Sequence, residues 1–517
     1  MNIKNFLLAG VIASCAQFSL AQIEHGGTPK SWMETSVSSV EFNSLPSVDI
    51  DALKAEDAIT EQHKDIPLRF AYAHEVNFNL VNSGEWTTAS DGSKIWRLGV
   101  ESENAHSLNV TFDQFVLSEG ATVFIYNEDK SDVLGSFTAE NNKPSQHLGT
   151  SPVKGDKIII ELHESHGTLE KSQLSISHIA HDYKNVYSLS KAFGDSGGCN
   201  NNVACPISNG WEDQVSSVAL ITLANGTRWC TGSMVANTSL DDTPYFLTAD
   251  HCEDGQNVTT WVFHFNYQSP TCSPNADGSL SQSVSGSTLR ATNPGSDVCL
   301  LELDTPPPTS YNVFYSGWDK SGDVPQNTTG IHHPSGDVKK FSVDNDPPVS
   351  SGSYWRVVDW DDGTTEPGSS GSALFDQNKR IVGQLYGGFA ACGNDEWDEY
   401  GKVSVSWEGS SSSVRLKDWL DPNSTGVETQ DGYYPGSASI AQLDATMKFE
   451  LYPNPSNNDL SIRTDAIISD VVIYTMNGSI VQREKTDHFS IENLQAGMYY
   501  VQIHSNEGTA QLKLIKN

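Results

Sequence analysis

The sequence predicts an all-β protein divided into three units, and three observations carry that prediction. First, 41 Gly and 22 Pro punctuate 517 residues of which 37% are hydrophobic and 19% charged, the turn-rich composition of many-stranded proteins. Second, short apolar or alternating runs recur along the chain, separated by turn dipeptides. Third, seven of the eight cysteines lie between Cys199 and Cys392, so a disulfide-bearing middle is bounded by two flanks of different character. At ~150 residues per domain the length also suggests about three domains. Lys+Arg number 31 against 65 Asp+Glu, a net charge of −34. Such a surface repels phosphate backbones and argues against nucleic acid as a partner. Cationic substrates or plain solubility fit it better.

The N-terminus states the compartment. Lys4 supplies a positive start, Phe6 to Ala13 an apolar stretch, and Ser19-Leu20-Ala21 a small-x-small cleavage site, so residues 1–21 are expected to be a signal peptide. A rival reading takes Ile12-Ala13-Ser14-Cys15 as a lipoprotein box that leaves Cys15 acylated; either way the chain is exported. Beyond it, no apolar run is long enough to span a membrane.

Residues 22 to about 60 are polar and lack sustained periodicity, which reads as a leader or linker. From about 67 to 190 strand-like runs recur at 76–81, 95–100, 121–126 and 157–162, which reads as a β-sandwich of its own within residues 22–191. The middle unit, 192–434, has strand-like runs at 215–223, 261–267 and 380–385 and holds 31 Asp/Glu against 11 Lys/Arg. A solvated acidic surface is the plain reading of that charge; steering of basic substrates is the sharper one. The Tyr433-Tyr434-Pro435-Gly436-Ser437 stretch reads as the start of a linker, 435–446. Residues 447–517 form a third β unit of nearly balanced charge.

Three segments of the middle unit share one chemical logic. Phe246-Leu247-Thr248-Ala249-Asp250-His251-Cys252 is an apolar strand ending in a histidine. Gly295-Ser296-Asp297-Val298-Cys299-Leu300 brings an aspartate to a buried strand. Glu366-Pro367-Gly368-Ser369-Ser370-Gly371-Ser372 places a serine in a Gly-rich turn. A hydroxyl needs an imidazole to take its proton, and the imidazole needs a buried carboxylate to hold its tautomer. Each segment alone has a dull explanation as a turn or a structural histidine. Together their order, His then Asp then Ser, is that of the chymotrypsin-type double β-barrel, whereas α/β-hydrolases and subtilisins run differently.

The middle unit resembles the secreted bacterial lysyl endopeptidases, a branch of the trypsin-like serine proteases. The resemblance rests on Cys199…Cys205-Pro206, Trp229-Cys230-Thr231-Gly232-Ser233, the segment around His251, Ser316-Gly317-Trp318-Asp319, Ile331-His332-His333-Pro334, Thr365 to Ser372, Gly383-Gln384-Leu385…Gly387-Gly388 and Tyr400-Gly401. It implies His251 as general base, Asp297 as its orienting carboxylate and Ser370 as nucleophile, with the Gly368 and Ser370 N–H groups as oxyanion hole. It implies disulfides Cys199–Cys392, Cys205–Cys272 and Cys230–Cys252, leaving Cys299 as a buried, inert thiol. It assigns substrate contacts to Asp398, Tyr386 and Gly387, with Asp398 receiving a lysine side chain. The local alternative for Asp398 is a solvated acidic cluster with Asp395, Glu396 and Glu399. The family carries a histidine where this chain has Tyr386, and a stacking tryptophan that has no counterpart in the stretch 349–353; strictness for Lys over Arg is therefore open. Ser369 replaces the aspartate that pairs with a freed N-terminus in trypsin-like zymogens. His332 and His333, adjacent in a strand, face opposite sides and read as structural rather than as a metal pair.

The third unit resembles the C-terminal sorting domains of type IX secretion, through Leu451-Tyr452-Pro453-Asn454-Pro455, Val472-Ile473-Tyr474…Asn477-Gly478, Leu494…Ala496-Gly497-Met498-Tyr499-Tyr500-Val501 and Leu512-Lys513-Leu514-Ile515. The whole reading is a secreted serine endopeptidase cutting after Lys, with Arg as the other candidate. It needs no cofactor or metal, and its partners are protein or peptide substrates and the type IX machinery. A protease-like adhesion or binding protein without catalysis is the competing class. Lys191-Ala192 is the expected self-processing site that would free the propeptide.

Overall fold

The computed structural model describes residues 26–517 apart from 36, 168–170, 186–195, 224, 274–275, 437–448, 465, 476–479 and 506–507. The signal peptide with Cys15, the Lys191-Ala192 bond, most of the 435–446 linker and Asn477-Gly478 lie outside the described residues. Two compact units result, Met1–Pro435 and Gly436–Asn517.

The first unit opens with a sandwich. One sheet runs Phe42–Ser44, Lys94–Glu101, Lys157–Glu164, Thr122–Asn127, Val133–Phe137, and the facing sheet Val153–Lys154, Ser107–Val116, Gln173–Asp182, Ala71–Asn79. Alternate residues of both, among them Trp96, Leu98, Val110, Phe112, Ile160 and Ile179, fill one apolar interior, as two sheets with one buried face each require. The segment before it is not a featureless leader. Phe42–Ser44 pairs in parallel with Gly99–Glu101, and Ile50–Thr60 is a helix whose N-cap Asp49 accepts the Ala52 N–H at 3.1 Å. Only Asp57 of that helix is buried, so the apolar stripe that reveals a helix in sequence is missing.

The rest of this unit is a double β-barrel of the chymotrypsin type. Its first sheet orders Ser283–Ser285, Val262–Phe265, Val218–Leu223, Arg228–Met234, Tyr245–Ala249, Val298–Leu303, Ser287–Asn293. The second follows the path Asn201–Asn202, Lys340–Asp344, Thr328–His332, Ala373–Phe375, Ile381–Gly388, Asp398–Lys402, Tyr354–Val357, Val349–Ser351. The expected run from Val215 is corrected at its start: Glu212–Ser217 is a short helix and the strand begins at Val218. Glu212 and Asp213 sit in the helix's first turn and the Ser217 hydroxyl donates to the Gln214 carbonyl, local bonds that favour a helical turn over extension.

The sandwich packs on the first barrel. Leu68–Arg69 adds a strand to Arg228–Trp229, Phe70 stacks on Trp229 with centroids 4.2 Å apart, and the Ser285 hydroxyl donates to the Gly149 carbonyl at 3.0 Å. Taken by itself, Gly436–Asn517 is a small sandwich of a three-stranded and a four-stranded sheet around Leu460, Val471, Ile473, Val501, Ile503 and Leu514. Among the described residues, no helix is long and apolar enough to cross a membrane.

Candidate active site

The site lies where the two barrels meet. The strand Tyr245–Ala249 ends in a one-turn helix, Asp250–Glu253, that carries His251. The Cys230–Cys252 disulfide ties that helix to the neighbouring strand. Asp297 precedes the partner strand Val298–Leu303 in a left-handed conformation, φ 54°. From there its carboxylate takes both the His251 backbone N–H, at 3.0 Å, and the Nδ1–H, at 2.9 Å. Two bonds to one carboxylate set the ring's orientation and leave Nε2 as the free base. Burial raises the Asp297 pKa and the His251 bonds oppose that rise. His251 Nε2 is buried without a hydrogen-bond partner among the described residues.

The loop Glu366–Ser372 belongs to the second barrel but is fastened to the first. Thr231 donates its N–H to the Ser370 carbonyl and its hydroxyl to the Gly368 carbonyl, both at 2.8 Å. Gly371, at φ 81°, approaches so closely that a Cβ there would fall 2.2 Å from Thr248 Oγ1 and 2.5 Å from the Thr231 carbonyl, so only glycine fits. Gly401 has the same role against the Asp297 loop, since its Cβ would meet the Ser296 carbonyl at 1.8 Å. In the place of a zymogen aspartate, Ser369 shares a 2.9 Å hydrogen bond with His332 Nδ1, and His332 Nε2 bonds Ser342 Oγ at 2.9 Å. Burial, with Lys64 and Lys340 nearby, pushes the His332 pKa down to about 3. His333 faces the other way and bonds the Asp337 carbonyl.

Asp398 is fully buried. Its Oδ2 accepts Trp360 Nε1–H at 2.9 Å and the Thr365 hydroxyl at 2.7 Å, and its Oδ1 faces the Lys64 ammonium at 2.7 Å. Lys64 also donates to Thr365 Oγ1 at 2.8 Å. The neighbouring acids differ: Asp395 and Glu396 are exposed and Glu399 pairs with Arg356. At the rim, the Tyr386 ring lies 6.2 Å from His251 and 5.2 Å from Tyr354. Tyr354, just past the stretch 349–353, packs against Tyr386. Gly387 passes the Lys64–Asp65 peptide, with its Cβ position 3.3 Å from the Asp65 nitrogen.

Sequence reasoning missed Lys64, Trp360 and Tyr354, and gave Thr365 no role of its own. Lys64 is 334 residues from Asp398, and Trp360 sits in an acidic loop that resembles any solvated turn. Thr365 was the one with a signal, since it opens the segment that matched the protease family.

Cys199–Cys392, Cys205–Cys272 and Cys230–Cys252 are disulfides, and Cys299 is a buried free thiol whose pKa burial raises. Among the described residues, one cluster brings metal-ligating atoms together, Cys230, His251 and Cys252. Both of its sulfurs are spent in the disulfide, so it offers no thiolate to an ion.

Residues 193–401 match the family model described as lysyl endopeptidase, C-terminal domain, and residues 450–517 that of the secretion system C-terminal sorting domain. The lysyl endopeptidase of Pseudomonas aeruginosa is 27% identical over 354 residues, covering 62% of this chain and 75% of that protein. Among solved structures, a Glu endopeptidase in complex with MPD is similar at 20% identity and TM-score 0.27, over 41% of this chain and 93% of its own. A thermostable serine protease from an extremophilic microorganism is similar at 14% identity and TM-score 0.27, over 36% and 91%. The sorting domain marks the chain for secretion, to the medium or the cell surface.

Proposed function

We propose that this chain, a serine protease of the lysyl endopeptidase family with a C-terminal type IX secretion sorting domain, hydrolyses peptide bonds on the carboxyl side of lysine. The single observation that carries the specificity is the buried Asp398 carboxylate with an ammonium on one oxygen and two donors on the other. A fully buried carboxylate is costly unless a cation meets it. A lysine side chain is long enough to do so while its stem lines the pocket wall.

The chemistry follows from the residues at the seam. His251 Nε2 takes the Ser370 proton as Oγ attacks the scissile carbonyl, and Asp297 stabilises the imidazolium that forms. The N–H groups of Gly368 and Ser370 receive the developing oxyanion; removing one such donor costs on the order of 3 kcal/mol of barrier. His251 then protonates the leaving amine, and water, activated by the same ring, releases the acyl group. In this reading residues 22–191 are the propeptide, 192–434 the protease domain and 447–517 the secretion tail.

Cleavage-site profiling on a denatured protein mixture tests the specificity, beside a phosphonate that labels the nucleophile. Lysine before nearly every cut and an adduct on Ser370 are expected. Cuts after apolar or acidic residues would overturn the pocket assignment, and an adduct elsewhere would overturn the triad.

A further inference from the structure

We infer that the chain carries its own inhibitor: the Lys64-Asp65 segment, held in the site as a tethered, lysine-bearing stopper that keeps the precursor latent. The inference rests on the reading of Ser370 and Asp398 given above, and goes beyond it to regulation by a specific residue of the N-terminal region. Lys64 fills the pocket through its ammonium on Asp398 and Thr365, and its own carbonyl accepts the Ser370 hydroxyl. The nucleophile's proton is therefore directed at the stopper and away from His251.

The seating is substrate-like in the pocket and unproductive at the bond. Among the described residues, neither the Gly368 nor the Ser370 N–H has a hydrogen-bond partner, so the Lys64 carbonyl sits outside the donors that would polarise it. The loop is also braced at its base. Arg69 donates to Asp57 at 2.9 Å and to Glu56 at 3.0 Å, and the Tyr183 hydroxyl donates to Asp57 at 2.6 Å. Asp57 sits in the last turn of the helix before the loop and Arg69 belongs to the strand after it, so both ends are fixed independently of Lys64. Within the loop, the Ile66 N–H returns to the His63 carbonyl. Arg228 donates to the Pro67 carbonyl and Leu68–Arg69 pairs with the barrel edge. A loop ordered before it binds loses little entropy on binding, which favours staying over turning over. Because none of these contacts involves the Lys191-Ala192 bond, a cut there would by itself leave the stopper in place.

The test is the rate at which a small fluorophosphonate, which needs no basic pocket, labels Ser370 in the full-length chain, read on the intact band of a gel. Wild type should label slowly and Lys64→Glu, which sets a carboxylate against Asp398, at least about tenfold faster. An unchanged rate in the variant overturns the inference. In wild-type precursor, Lys64 should also resist acetylation that modifies the exposed Lys54; equal modification of the two overturns it without recourse to any variant. An arylamidine should protect Lys64→Glu from the fluorophosphonate. Fast labelling that the arylamidine does not slow would leave the stopper standing and overturn the cation pocket instead.

Discussion

Replacing Asp398 by Asn removes one charge and almost no volume, which makes it the sharpest probe of the pocket. The carboxylate is fully buried and lies 2.7 Å from an ammonium. Its other oxygen is taken by two donors, Trp360 Nε1–H and the Thr365 hydroxyl. An Asn amide keeps one acceptor but turns an N–H₂ either toward those donors or toward the incoming ammonium. Removing one partner of a buried ion pair costs about 3–5 kcal/mol. At 1.36 kcal/mol per tenfold, kcat/KM on a lysyl peptide should fall by about 10²- to 10⁴-fold. A norleucyl peptide of the same length and without the charge should change by less than about tenfold. The assay is kcat/KM of the mature enzyme, freed of residues 22–191, on peptides differing only in that residue. A drop below tenfold on lysine, or an equal drop on both peptides, would refute the argument that Asp398 acts through charge.

Further expectations follow from other contacts. Trp360→Phe deletes one hydrogen bond to a charged group, worth about 1.5–3 kcal/mol. Lysyl kcat/KM should fall by roughly 10- to 150-fold with turnover of the norleucyl peptide spared. Asp297→Asn should cost about 10⁴ in kcat by misassigning the His251 tautomer, with Ser370 still in place by crystallography. His332 is protonated near pH 6.5 when unfolded but only near pH 3 when folded. The unfolded state therefore binds the extra proton between those values, and stability should decline as pH falls from 6.5 toward 3. Urea midpoints at pH 7 and pH 4.5 check this, and His332→Gln should flatten the difference. Ser370→Ala expressed beside wild type tests self-processing at Lys191-Ala192: the variant should keep its propeptide in a protease-free host, and maturation to the same N-terminus would refute it. Cys299 should react with a thiol reagent only after denaturation.

How much was legible follows from the range of each interaction. His251, Asp297 and Ser370 each announce themselves in a short segment, because a strand end, a strand entry and a Gly-rich turn have local signatures. Even the close fit at Gly371 shows as a glycine in the right place. Lys64 and Trp360 act through contacts with Asp398 that are 334 and 38 residues apart along the chain, and nothing local marks either. The helix Ile50–Thr60 escaped for a different reason. Apart from Asp57 its residues are not buried, so its stability comes from the Asp49 cap and from the Asp57–Arg69 pairing rather than from an apolar face. The start of the strand at Val218 was blurred because Val215 and Val218 are both buried, one at the end of a helix and one in a strand.

The two glycines at the seam also say where this enzyme is free to change. At 371 and 401 the backbones of the two barrels touch, and any added carbon would have to move a strand. That surface cannot drift without shifting Ser370 against His251. At the rim, Tyr354 and Tyr386 are only partly buried and pack on each other. Under the proposed reading, substitution there retunes which residues flank the scissile lysine while the reacting atoms stay put. Variation in taste and constancy in chemistry are thus separated in space, by a boundary no thicker than one side chain.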